Sequence, residues 1–167
     1  ARAMPSFATL VTPVGTIGVT SSGEAITRVA WKSERPADSA SAPDALLAET
    51  MSQLAAYFRG DLRRFDVPFD LGHPSEGTRA VLTTLHDTVR YGDSVTYGEL
   101  ATRSGSGIPA RGIGAIMGAN PVPIIVPCHR VLAGDGLGGY SGGDRGQGLA
   151  TKRWLLALEG VLPASLF

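Results

Sequence analysis

The spacing of apolar and polar positions divides the chain into two halves of different character. In the first half, short β-prone runs at 7–11, 15–20 and 25–31 are separated by Thr12-Pro13-Val14-Gly15 and Ser21-Ser22-Gly23-Glu24. Turn residues at that interval predict an antiparallel meander. The polar, alanine- and proline-containing stretch 32–42 predicts a mobile loop. Over 44–59, Leu47, Met51, Leu54 and Phe58 recur at three- and four-residue steps, which predicts a helix that Gly60 ends. Residues 65–69 alternate apolar with polar and predict a further strand, and 71–76, with Gly, Pro and Ser, reads as a linker. In the second half, 78–89 predicts a helix with Val81, Leu82 and Leu85 on one face. Residues 96–103 open on Thr96-Tyr97-Gly98-Glu99, a capping box in which hydroxyl and carboxylate satisfy free helix amides. Ser104-Gly105-Ser106-Gly107 predicts a tight turn, and Pro109 suits the first turn of a second helix running to about residue 117. Two short helices about a glycine turn form a helix-turn-helix pattern. Gly112, Gly114 and Gly118 each cost about 1 kcal/mol against alanine inside a helix, which predicts close approach by a neighbouring helix or by a DNA backbone. A last helix covers 149–160.

The fold class that follows is α/β. A small N-terminal strand-and-helix lobe, 4–72, precedes a mostly helical C-terminal lobe, 77–167, which bears the helix-turn-helix and all the chemistry. Composition bounds the function more loosely. Fifteen basic residues balance fifteen acidic ones, so DNA binding would rest on a local patch and not on net charge. No apolar run approaches the roughly 20 residues of a membrane span, and no signal-peptide pattern opens the chain. Met4, after Ala1-Arg2-Ala3, reads as the natural start. One cysteine and no export signal predict a reducing, cytoplasmic home.

That one cysteine, Cys128, cannot form an internal disulfide or supply a multi-cysteine metal site. Inert packing or nucleophilic chemistry remain. A free thiol has a pKa of about 8.5, so a useful nucleophile needs a base or a positive field beside it. His129 follows directly, but side chains of adjacent strand residues point apart. It can act only if the chain turns there or a water bridges the two. Glu159, in the last helix, is the candidate to orient the imidazole.

Asn120-Pro121-Val122-Pro123-Ile124-Ile125-Val126-Pro127-Cys128-His129-Arg130-Val131 resembles the active-site signature of the O6-alkylguanine-DNA alkyltransferases, the methylated-DNA–protein-cysteine methyltransferases. Tyr91-Gly92 with Thr96-Tyr97-Gly98-Glu99-Leu100 is similar to the start of that family's helix-turn-helix, and Ala110-Arg111-Gly112-Ile113-Gly114 to its recognition helix. Gly138-Gly139-Tyr140-Ser141-Gly142-Gly143 resembles its substrate-binding loop, and Lys152-Arg153-Trp154-Leu155-Leu156-Ala157-Leu158-Glu159 its closing helix.

The resemblance implies direct reversal of DNA alkylation. Cys128 would take the alkyl group from O6 of guanine, with O4-alkylthymine as a further substrate, and would be consumed in one turnover. His129 would deprotonate the thiol through a bound water, Glu159 would orient His129, and Asn120 would pin the turn ahead of the thiol. Tyr97 would rotate the target phosphate and later donate to guanine N3. Arg111 would fill the gap left by the flipped nucleotide, with Gly112 and Gly114 close to the minor-groove backbone. Tyr140 and Ser141 would meet the O6 side of the base, and backbone groups at Cys128 and Val131 its amino edge. The implied partner is double-stranded DNA carrying alkylated guanine, bound in the minor groove by a monomer or by copies side by side. No cofactor, metal or membrane is implied.

Four departures accompany the resemblance. The helix at 77–86 lacks the family's usual phenylalanine and tryptophan, Arg90 stands where proline is common, Gly112 replaces alanine, and Asp144-Arg145-Gly146-Gln147-Gly148 lengthens a loop. His73 and His86 read as surface or packing residues. Competing readings are a non-catalytic alkyl-lesion sensor on the same fold, a transcription regulator and a cysteine hydrolase. A sensor needs no thiol, a glycine-rich helix offers few base contacts, and no hydrolase motif surrounds Cys128.

Overall fold

The computed structural model describes residues 4–32, 34–40, 42–140, 142–143 and 146–162. Strands β1 (Ser6–Thr12), β2 (Gly15–Ser21) and β3 (Ile26–Trp31) form an antiparallel meander in that order. One face is core: Ile17, Val19, Ile26 and Val29 are buried against α1 (Ala45–Phe58). Asp44 caps α1 by accepting from Leu47 N–H at 2.7 Å, and Ser6 and Ser21 donate to the same carboxylate. The cap therefore also fastens the helix to the sheet.

Two features of this lobe differ from the sequence pattern. The expected strand at 65–69 is not one. Only Phe69 bridges to Ile26, through Ile26 N–H to Pro68 C=O and Asp70 N–H to Ile26 C=O. Pro68 has no N–H to extend the ladder. The stretch expected to be a mobile loop is tied to β1, because Ala40 N–H donates to Pro5 C=O at 2.7 Å.

The C-terminal lobe runs α2 (Glu76–Thr88), β4 (Val95–Thr96), α3 (Tyr97–Ser104), α4 (Ala110–Gly118), β5 (Val131–Leu132) and α5 (Gly148–Leu158). Ser75 caps α2, so the linker ends one residue earlier than expected. Both arms of the α3 capping box are present at 3.1 Å, and Gly105, left-handed at φ 63°, ends the helix. On α4, Ile113, Ile116 and Met117 face inward while Arg111, Gly114, Ala115 and Gly118 stay exposed.

Ile108 explains one departure. A Cβ on Gly112 would lie 2.7 Å from Ile108 Cγ2, and a Cβ on Gly77 would lie 2.8 Å from Ile108 Cδ1. One isoleucine thus wedges between α2 and α4 into space that two glycines leave. Packing accounts for Gly112, whereas none of the described residues lies within 4 Å of the Cβ positions of Gly114 or Gly118. The aromatic-free α2 still fills its core side, with Val81, Leu82 and Leu85 fully buried. The two lobes share a single core, reaching from Ile17 to Leu155.

Candidate active site

The thiol sits where the chain turns. Pro127 leads into a 3-10 turn, Cys128–Arg130, closed by Arg130 N–H on the Pro127 carbonyl at 3.0 Å. A straight strand would have sent Cys128 and His129 to opposite faces; through the turn both are buried, 6% and 0% exposed. Val131 then pairs in parallel with Val95, which fixes the thiol segment to the start of the helix-turn-helix. Upstream, Asn120 Nδ2 donates to Val126 C=O at 2.8 Å and Asn120 Oδ1 accepts from Val122 N–H at 3.1 Å. These bonds brace a loop in which buried Ile124 holds φ 74°, a conformation costly for a β-branched residue.

Glu159, the residue after α5, collects four donors. His129 Nε2 lies 2.7 Å from Oε2, Arg130 Nε donates to Oε1 at 2.7 Å and Arg130 Nη2 to Oε2 at 3.2 Å, and Tyr57 Oη donates to Oε2 at 2.5 Å. Burial alone would raise this carboxyl. Interaction with His129 and Arg130, through hydrogen bonds from both and the charge of the guanidinium, outweighs it and lowers the pKa to about 2. An ionised carboxylate only accepts, so His129 Nε2 carries the ring proton and Nδ1 is left as an acceptor. Nδ1 is buried and has no hydrogen-bond partner among the described residues.

Burial lowers the pKa of His129 against the opposing pull of Glu159, so the ring is neutral at neutral pH. Burial likewise pushes the Cys128 thiol up, against Asn120 and the charge of Lys152. The resting site therefore pairs a protonated thiol with a neutral, unpaired base.

A cavity of about 390 Å³ opens onto Cys128, lined by Tyr97, Gly114, Gly118, Gly139 and Tyr140. That is within the roughly 300–1,000 Å³ of small-molecule sites. A larger cavity, about 520 Å³, lies elsewhere, against Arg63, Arg90, Tyr91 and Arg130, and does not reach the thiol. Tyr140 Oη is buried and faces Cys128, and no geometric hydrogen-bond partner for it lies among the described residues. Gly138, at φ 71°, presses on Tyr97: a Cβ there would sit 2.7 Å from Tyr97 Oη. Val131 C=O accepts from Lys152 Nζ at 2.6 Å, which leaves its second lone pair for another donor. Arg111 is exposed in the first turn of α4. Ser141 lies outside the described residues, as do Asp144 and Arg145 of the lengthened loop.

The structure thus brings Cys128, His129, Glu159, Asn120, Tyr97, Val131 and Tyr140 together and leaves Arg111 on the adjoining surface. It adds residues that the sequence pattern left unassigned. Lys152 is fully buried on α5, bonded to Val131 C=O and at 3.0 Å to Gly139 C=O, and burial lowers its pKa to about 8. A lysine among the apolar positions of the closing helix was the signal available for it. Tyr57 and Trp31 come from the N-terminal lobe, so that lobe, contrary to expectation, also serves the site. Their apolar-face positions signal only core. Among the described residues no three His, Cys, Asp or Glu side chains cluster as a metal site, and no helix is long and apolar enough to cross a membrane.

Residues 76–161 match the family model of the 6-O-methylguanine DNA methyltransferase DNA binding domain, and 7–71 match that of the same enzymes' ribonuclease-like domain. The methylated-DNA–protein-cysteine methyltransferase of Mus musculus is 43% identical over 121 residues, 69% of this chain. The match spans just over half of the mouse protein, 56% of its length. The Mycobacterium bovis protein of the same name is 36% identical across 93% of both chains. The crystal structure of Mycobacterium tuberculosis OGT in complex with DNA superposes with a TM-score of 0.80 at 35% identity, covering 96% of this chain and 97% of that one. The chain belongs to the 6-O-methylguanine DNA methyltransferase family.

Proposed function

We propose that the protein repairs DNA by direct reversal, moving the alkyl group of O6-alkylguanine onto Cys128. One observation carries this reading. His129 Nδ1 is buried, neutral and unpaired beside the only thiol, while Glu159 fixes its tautomer. His129 takes the thiol proton by way of a water, the new sulfur–carbon bond forms as the carbon–O6 bond breaks, and guanine leaves. Proton transfer of this kind contributes about 10²–10⁴-fold. Lys152, close enough to favour a negative sulfur, supports the thiolate as it forms.

O6 is out of reach inside a stacked duplex, so the nucleotide flips into the cavity at Tyr97, Gly139 and Tyr140. Extrusion costs a few kcal/mol and least for a damaged base. Arg111, exposed on α4, fills the gap, and the bare surface at Gly114 and Gly118 admits a minor-groove backbone. Tyr97 rotates the phosphate and donates to guanine N3. Asn120 holds the turn. A second carbonyl lone pair at Val131 receives the amino group. The thioether formed on Cys128 has no good leaving group, so each molecule acts once. O4-alkylthymine, whose alkyl oxygen can present the same carbon to the sulfur, is a second substrate.

The test is a duplex with radiolabelled methyl on O6 of guanine, followed by digestion and peptide mapping. The reading expects label on Cys128, saturating at one methyl per protein. Tight binding without label would favour a lesion sensor, and repeated turnover would exclude the single-use mechanism.

A further inference from the structure

Two hollows reach Cys128. Beside the one that opens at Tyr97 lies a smaller hollow of about 220 Å³. Cys128, Met117 and Tyr140 line both. The smaller one is completed by Val29, Ala30 and Trp31 of β3, from the other lobe, and by Pro123, Gly142 and Gly143. Its geometry follows from the chemistry. In a displacement at carbon the sulfur, carbon and departing oxygen lie in line. Any substituent beyond the first carbon must therefore project sideways. A methyl group has only hydrogens there, whereas a larger alkyl group needs room beside the thiol.

Trp31 walls that room and is held in place. Its indole Nε1–H donates to Val14 C=O at 3.0 Å, and its backbone sits opposite Ile17 in the β2–β3 ladder. Its ring meets Tyr140 edge-on, with centroids 6.1 Å apart at 82°. The chain at Gly142 closes over both rings: a Cβ there would lie 2.5 Å from Tyr140 Cε2 and 2.8 Å from Trp31 Cζ3. The indole has no space to swing toward the loop, and its own hydrogen bond ties it to the β1–β2 turn.

We propose that Trp31 is a specificity-determining residue, a fixed wall from the N-terminal lobe that limits the size of the alkyl group Cys128 accepts. The inference rests on the reading of Cys128 as the alkyl acceptor. Hydrophobic pockets discriminate by about 10–200-fold per methylene-sized change, so the wall should be visible in rates.

The experiment compares second-order transfer from duplex O6-methylguanine and duplex O6-benzylguanine to the wild-type protein, Trp31→Ala and Trp31→Phe, read as mass added to Cys128. Trp31→Ala should raise the benzyl-to-methyl rate ratio by about tenfold or more. Trp31→Phe, which keeps an aromatic edge for Tyr140, should move the ratio in the same direction by less. A ratio that stays or falls in both variants overturns the proposal, as does an equal loss with both substrates, which would make Trp31 structural. Absence of methyl transfer in the wild-type protein would instead overturn the reading of Cys128 itself.

Discussion

The two lobes serve the thiol segment in different ways. The C-terminal lobe supplies the groups proposed to exchange a proton, Cys128 and His129 on one 3-10 turn, and Glu159, at the end of the closing helix, which bonds to His129. The N-terminal lobe supplies groups that hold. Tyr57 donates to the carboxylate that orients His129, and Trp31 braces Tyr140. Reacting groups can be neighbours in sequence because a single turn presents them. A holding group can also come from far along the chain, 102 positions apart for Tyr57 and Glu159, whereas Asn120 braces the thiol loop from within the same segment. This division predicts a graded response to substitution.

The largest effect belongs to the reacting groups. Cys128→Ala should abolish alkyl transfer while retaining binding to methylated duplex, measured by fluorescence anisotropy; residual transfer would place the acceptor elsewhere. Next comes the orienting carboxylate. Glu159→Gln keeps the shape but loses the fixed tautomer and leaves Arg130 without its ion pair, so the transfer rate should fall by about a hundredfold or more. Tyr57→Phe removes one hydrogen bond to a charged group. It should cost about 1.5–3 kcal/mol of stability in urea and slow transfer much less than Glu159→Gln. Were the two variants equally slow, Tyr57 would belong with the chemistry and the division between lobes would fail.

Acid should undermine the same network in two stages. The folded His129 resists protonation, so below its ordinary pKa of 6.5 the unfolded chain binds a proton that the folded one does not, and stability falls with pH. Glu159 is ionised down to about 2 in the fold, against 4.5 ordinarily. Its contribution is complete above 4.5 and is lost as pH drops toward 2. Urea midpoints across pH should show both stages in the wild-type protein and only the first in Glu159→Gln.

The smallest effect separates packing from DNA contact on α4. Gly112→Ala gains about 1 kcal/mol of helix propensity but meets Ile108, an overpacking cost of about 1–3 kcal/mol. The variant should be mildly destabilised, Ile108→Ala in the same background should restore part of the loss, and transfer should be little changed. A large loss of duplex binding without loss of stability would return Gly112 to the DNA interface.

Much of this arrangement could be read before the fold was known, for identifiable reasons. Capping chemistry is local, so the Thr96–Glu99 box and the helix after it lie where the four residues put them. Turn residues likewise placed the meander. The 65–69 segment misled because alternation alone cannot reveal that Pro68 interrupts the ladder. The Cys128–His129 pair could be recognised, but its usefulness depended on a turn that a strand-like apolar run conceals. The glycine at 112 leaves approach by a neighbouring helix or by DNA open, and Ile108 supplies a reason within the fold. Tyr57, Trp31 and Lys152 escaped notice because core-facing residues carry no mark of which polar atom they will meet.

The central claim is that His129 waits as a neutral base with its proton on Nε2. Nitrogen-15 NMR of the histidine rings of the unreacted protein near pH 7 tests this most directly. The account predicts a protonated Nε2, a bare Nδ1 on His129, and loss of that pattern in Glu159→Gln. A proton on Nδ1, alone or in an imidazolium, would contradict it.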